Sequence, residues 1–170
     1  MATSVGNCSF SCYVIISFKL LFLLLSCVYA CVYMQQQCQY IVRVKTGDRN
    51  DAGTDSIIGL KLTSSSVNSF TVNNLQSWGI MAPGHDYFER GNLDVFSGRG
   101  TCLSVCAVTV TSNGEGNKPG WYLDFVEITV SGGLSRKVAF PVNQWLALDE
   151  WPRHLYATVN LCSRAAATLV

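Results

Sequence analysis

"QYIVRVKTGDRNDAGTDSIIGLKL", Gln39 to Leu62, sets the terms for the whole chain. In its opening run Tyr40, Val42 and Val44 fall on one side of an extended chain, and Ile41, Arg43 and Lys45 on the other. A period of two is that of a strand with one covered face. "SIIGLKL", Ser56 to Leu62, reads as a second strand. Between them Asp48, Asp51 and Asp55 crowd together with Asn50. Like charges repel, so this connection is either a well-solvated turn or the wall of a cation site. Asp and Asn suit a turn because their side chains bond nearby backbone, and Arg49 is available to neutralise a neighbour. Calcium takes roughly six to eight oxygen ligands. Asp48, Asn50, Asp51 and Asp55, with the carbonyls of Gly53 and Thr54, can supply several. Asp86, Glu89 and Asp94 are further oxygen donors from another loop. An EF-hand is excluded: with Asp48 as the first position, Ala52 and Gly59 fall where ligands are required. The loop is read as a turn first and a calcium site second.

Working outward, the same strand signature recurs in "SFTVNNL" (Ser69 to Leu75), "NLDVF" (Asn92 to Phe96) and "SVCAVTVTS" (Ser104 to Ser112). It returns in "GWYLDFVEITV" (Gly120 to Val130), "RKVAFPV" (Arg136 to Val142) and "HLYATVNL" (His154 to Leu161). Turn residues punctuate them: Gly47, Ser64 to Ser66, Gly98 to Gly100, "SNGEGNKPG" and Gly132-Gly133. "NQWLALDEWP" suits one helical turn or an extended edge, ended by Pro152. Many short strands with regular turn signals and almost no helical period predict an all-β fold, an antiparallel β-sandwich over residues 36–163. Trp121, Leu123 and Phe125 alternate along one strand and are expected in its core.

Ahead of this domain, Lys19 is the only charge before Arg43, and "LLFLLLSCVYA" (Leu20 to Ala30) is a short apolar run ending in small-residue spacing. That pattern predicts a secretory signal peptide, residues 1–30, cleaved after Ala30; a spanning helix needs about 20 apolar residues. Residues 164–170 are expected to be a short tail. Of the 12 Lys and Arg, Lys19 is lost with the signal, leaving as many basic as the 11 acidic residues. A neutral chain without a basic patch gives no footing to nucleic acid. Export also explains the cysteines, since disulfides persist outside the cytosol. Cys38, Cys102, Cys106 and Cys162 admit three pairings. The expected one is Cys38–Cys162, tying first strand to last, with Cys102–Cys106 as a local loop and Cys31 left over.

Catalytic constellations are missing. The chain has no G-x-S-x-G elbow. His85 and His154 have no Ser or Cys partner nearby in sequence, and "SGRG" leads into a strand instead of opening a phosphate-cradling helix. Neither an enzyme nor a small-molecule substrate is expected. Instead, apolar residues in connecting segments point to contact with a membrane surface or a protein partner: Trp78, Ile80 and Met81 in "WGIMAPG", and Trp151 in "DEWPRH". For Trp78 the competing role, cover for an open end of the core, is favoured.

"RVKTGDRNDAGTDSIIGLKL", "LQSWGIMAPGHDYFERGNLDVFSGRG", "GWYLDFVEITVSG" and "FPVNQWLALDEWPRHLYATVNLC" together resemble the plant proteins made of a signal peptide and one PLAT domain. That domain also occurs in polycystins, lipoxygenases and a bacterial alpha-toxin phospholipase. The resemblance spans Cys38 to Cys162. It implies a sandwich of two four-stranded sheets serving membrane or protein association without catalysis. It also implies endoplasmic-reticulum or extracellular placement and a part in abiotic stress responses and growth. Some such domains bind calcium through an "AGTD" turn, which carries that role onto Gly53, Thr54 and Asp55. A purely structural or protein-interaction role in the secretory pathway or wall, without lipid or calcium, is the alternative. This chain departs from the family's pattern at "GGLSRKVAF", where a cysteine is often present, and at the charged, aromatic "DEWPRH".

Overall fold

The computed structural model describes residues 37–132 and 135–162. The expected signal peptide, Cys31 and the tail after residue 163 lie outside them. The described chain forms two four-stranded antiparallel sheets. In chain order the strands are β1 (Gln37–Thr46), β2 (Ile58–Ser64), β3 (Ser69–Val72), β4 (Leu93–Thr101), β5 (Val105–Ser112), β6 (Trp121–Ser131), β7 (Arg136–Leu146) and β8 (Tyr156–Asn160). One sheet runs β4-β1-β6-β7 and the other β3-β2-β5-β8. A short 3-10 helix, Leu75–Trp78, is capped by the Asn74 side chain, which accepts from the Gln76 amide.

Alternation puts the core where the opening stretch implies. Tyr40, Val42 and Val44 of β1 share one buried cluster with Leu60 and Leu62 of β2 and Val108 and Val110 of β5. Burial of that apolar area is the dominant favourable term holding the sheets together. In β6 the alternation breaks. Trp121 and Leu123 are fully buried, but a register shift between Leu123 and Phe125 exchanges the faces, and Val126 and Ile128 take the inward positions. Phe125 is therefore only half-buried, contrary to expectation, because an extra residue in a strand reverses every side chain after it.

Two further corrections concern β4 and the cysteines. Gly98 and Gly100 are not a turn; they extend β4 to Thr101. A Cβ at Gly98 would lie 2.1 Å from the Trp78 ring, and one at Gly100 2.6 Å from Phe70. The glycines leave room for two aromatic rings over the strand, a close approach that only glycine permits. The disulfides are Cys38–Cys102 and Cys106–Cys162, not Cys38–Cys162 and Cys102–Cys106. Each joins neighbours in one sheet. Cys38 lies opposite Gly100 in the β1–β4 ladder, and Leu161 donates to the Cys106 carbonyl beside the second bridge. The first and last strands belong to different sheets, so the expected tie between them would have to cross the core.

Because successive strands alternate in direction, the connections fall at opposite ends. Residues 47–57, 73–92, 113–120 and 147–155 gather at one end; the connections after β2, β4 and β6, with both disulfides, lie at the other.

Candidate functional site: the acidic rim

The loop after β1 is held from beneath by buried groups. Trp121 is fully buried, and its indole nitrogen donates to the Thr46 hydroxyl at 3.0 Å. Phe88 packs edge-on against Trp121 and stacks on Phe96, with centroids 5.3 and 5.5 Å apart. Above this plug, the amide of Tyr122 donates to the Ala52 carbonyl and that of Thr54 to the Phe88 carbonyl. The Thr54 hydroxyl donates to the Pro119 carbonyl and accepts from the Ser56 amide, and the Ser56 hydroxyl donates to the Glu115 carbonyl at 2.7 Å. Three connections are thereby locked together by buried small polar side chains, every one of them satisfied.

Asp94 is fully buried in β4. Its carboxylate accepts from the Phe88 amide at 2.7 Å and meets His85 Nε2 at 2.6 Å. It is therefore a brace inside the 85–90 loop, not an oxygen donor at the surface. The effect is to fix the segment that carries Asp86 and Glu89. One carboxylate oxygen from each of Asp55, Asp86 and Glu89 lies within 4.8 Å of the others. None of the three is in an ion pair among the described residues. Gly53 closes the group from the side: a Cβ there would meet Glu89 Oε2 at 2.8 Å.

The rest of the sequence-derived set is occupied otherwise. Arg90 donates to Asp48 at 2.7 Å and to the Asn50 side-chain oxygen at 3.0 Å. Asp51 pairs with Lys118 at 2.9 Å. This partner holds the Asp51 carboxyl below the usual carboxylate range and, reciprocally, raises Lys118. Arg49 is in no ion pair among the described residues; its guanidinium lies over the Tyr122 ring, 4.0 Å from the centroid. So Gly53, Thr54 and Asp55 stand in or beside the acidic group, while Asp48, Asn50 and Asp51 form its basic-paired flank. Arg90 and Lys118, which the sequence reading left out, border the same depression.

The apolar candidates divide as well. Trp78 is half-buried against Phe70, as core cover. Met81 is half-buried, its amide donating to the Tyr87 hydroxyl at 3.0 Å. Ile80 and Trp151 are exposed, at 56% and 80%. Ile57 and Leu148, overlooked in the sequence because each sits next to a buried apolar neighbour, are exposed too, at 50% and 66%. All four stand on the connections at the acidic end. Hydrophobic side chains and the carboxylates of Asp55, Asp86 and Glu89 thus share one rim.

Comparison with known proteins agrees with this architecture. The model of the PLAT/LH2 domain matches residues 40–156. PLAT domain-containing protein 1 of Arabidopsis thaliana is 42% identical over 147 residues, covering 82% of this chain and 81% of its own. PLAT domain-containing protein 3 of the same plant is 48% identical over 104 residues, 58% of this chain and 100% of that protein. A solved calcium-dependent 11R-lipoxygenase superposes with a TM-score of 0.52 at 26% identity, over 72% of this chain but only 17% of the lipoxygenase. With most of the sandwich matched by that family model and by a plant relative covered over 81% of its own length, the chain belongs to the PLAT/LH2 domain family.

Proposed function

We propose that this protein is a non-catalytic, exported module that docks on a membrane surface through its acidic rim with the help of calcium. The observation that carries the reading is the coincidence of Asp55, Asp86 and Glu89 with the exposed side chains of Ile57, Ile80, Leu148 and Trp151 at one end of the sandwich. The donor set fits a hard cation: every available ligand is oxygen, and Gly53 leaves room for the Glu89 carboxylate, whose Oε2 would lie 2.8 Å from a Cβ at that position. Bound there, calcium would neutralise the three carboxylates and offer open coordination positions to headgroup oxygens. Around it, Trp151, Leu148, Ile80 and Ile57 enter the interfacial layer, where amphipathic aromatics are at home. The calcium-dependent lipoxygenase, whose matching region adopts the same fold, lends support. Export through the secretory pathway, which rests on the apolar run Leu20 to Ala30, and service in abiotic stress responses and growth, which rests on the resemblance to the plant relatives, belong to the same proposal.

The first test is a thermal-shift titration with calcium. The wild-type midpoint is expected to rise at millimolar calcium, and Asp55→Ala with Glu89→Ala to abolish the rise. Asp48→Ala, on the Arg90-paired flank, is expected to keep it. A wild-type protein indifferent to millimolar calcium would remove the metal from the account.

A further inference from the structure

At the end opposite the acidic rim the two sheets part around a cavity of about 430 Å3. Its interior is apolar: Leu103, Val105, Ile128, Val130 and Val138 line it beside the Cys38–Cys102 bridge. Small-molecule sites are typically apolar clefts of roughly 300–1,000 Å3 with a few polar groups set to fix orientation. Here the polar side chains belong to Ser104 and Arg136, both exposed and so at the mouth. Arg136 is placed there by the strand period. Phe140, Val138 and Arg136 succeed one another at every second position of β7, and they grade from fully buried through half-buried to exposed. The strand's core-facing line of side chains thus ends in a cation. Among the described residues Arg136 takes part in no ion pair, whereas Arg43 and Lys137 both lie on Glu127. The wall behind the cavity is fixed, because the buried Tyr40 hydroxyl donates to the Thr101 carbonyl and accepts from the Leu103 amide.

An apolar slot between two sheets, with one unpaired cation and one hydroxyl at its entrance, is complementary to a single-chain amphiphile bearing an anionic head. We propose that this cavity binds one such molecule, an alkyl carboxylate or alkyl phosphate, with its head on Arg136 and its chain against Ile128, Val130 and Val138. Guanidinium is suited to both oxyanions because it presents paired donors in a plane. The site is separate from the acidic rim and independent of calcium. An inward charge on an edge strand has another known use, discouraging pairing with a second sheet, and the test separates the two.

The experiment is displacement of a dansyl-labelled fatty acid from the full chain, below micelle-forming concentrations, by dodecanoate, dodecyl phosphate and dodecanol. Either anion is expected to displace the probe, and which binds tighter identifies the head the site prefers; dodecanol should be weaker by about tenfold, the loss of one charge-assisted contact. Arg136→Gln should weaken the anions by the same factor and leave dodecanol unchanged. Val138→Trp, which fills the slot from a half-buried position, should abolish all binding, and Asp55→Ala with Glu89→Ala should change nothing. Methyl NMR shifts at Ile128, Val130 and Val138 on adding dodecanoate give the same reading without a substitution, should Val138→Trp fail to fold. Failure of both anions to displace the probe, equal binding by folded Val138→Trp, or an Arg136→Gln variant that changes only self-association would overturn the proposal.

Discussion

Asp94 and Asp51 are both aspartates near one rim, yet their surroundings give them opposite work. Asp94 is buried and braced by the Phe88 amide and His85. Replacing it with Ala strands a buried amide and loses a charge-assisted bond, so Asp94→Ala is expected to cost about 2–3 kcal/mol in chemical denaturation. Asp51 is exposed, and its lowered pKa follows from the Lys118 ammonium. A depressed carboxyl contributes whatever stability it has above its unfolded-state pKa and loses it as pH falls through the folded value. The raised Lys118 contributes below its unfolded-state pKa and loses that as pH rises through its folded value. Lys118→Met should therefore return the Asp51 carboxyl titration, followed by NMR, upward toward the ordinary range, and high salt should move the wild type the same way. The sequence displayed these carboxylates without their roles. "GDRNDAGTD" shows the charges of the first loop, but nothing in it reveals that Arg90 and Lys118, from two other connections, neutralise its flank and leave Asp55 to Asp86 and Glu89.

At the scale of elements, strand identity was legible because alternation and turn chemistry act locally. The strands around "QYIVRVK" and "SVCAVTVTS" lie within a few residues of their expected bounds. What depended on pairing was not legible. The bulge in β6 that turns Phe125 outward is set by its partner strands, and the disulfides follow sheet order, which the sequence does not print. Mass mapping under non-reducing conditions should link Cys38 to Cys102 and Cys106 to Cys162; a Cys38–Cys162 peptide would contradict the sheet order itself. Losing either bridge is expected to cost roughly 2–5 kcal/mol. The glycines of β4 read as a turn because their partners, Trp78 and Phe70, come from elsewhere. Gly98→Ala should force the Trp78 ring outward, red-shift its fluorescence and cost roughly 1–3 kcal/mol of overpacking strain.

At the largest scale the sandwich has two unlike ends. One carries both disulfides and an apolar cavity with a cation at its mouth; the other carries the carboxylates of Asp55, Asp86 and Glu89 among exposed hydrophobic side chains. The rigid sandwich between them explains how loops can hold both arrangements, since their anchor points are fixed by the ladders. Function on this view belongs to the ends, and membrane docking to the acidic one. The measurement that tests it most directly is co-sedimentation with phosphatidylcholine vesicles containing a minority of phosphatidylserine, with calcium and with chelator. The wild type is expected to pellet with the vesicles in calcium and to stay in the supernatant with chelator, while Trp151→Ala with Leu148→Ala, and separately Asp55→Ala with Glu89→Ala, remain soluble in both. A wild type that stays in the supernatant with calcium, or variants that pellet as it does, would contradict the account.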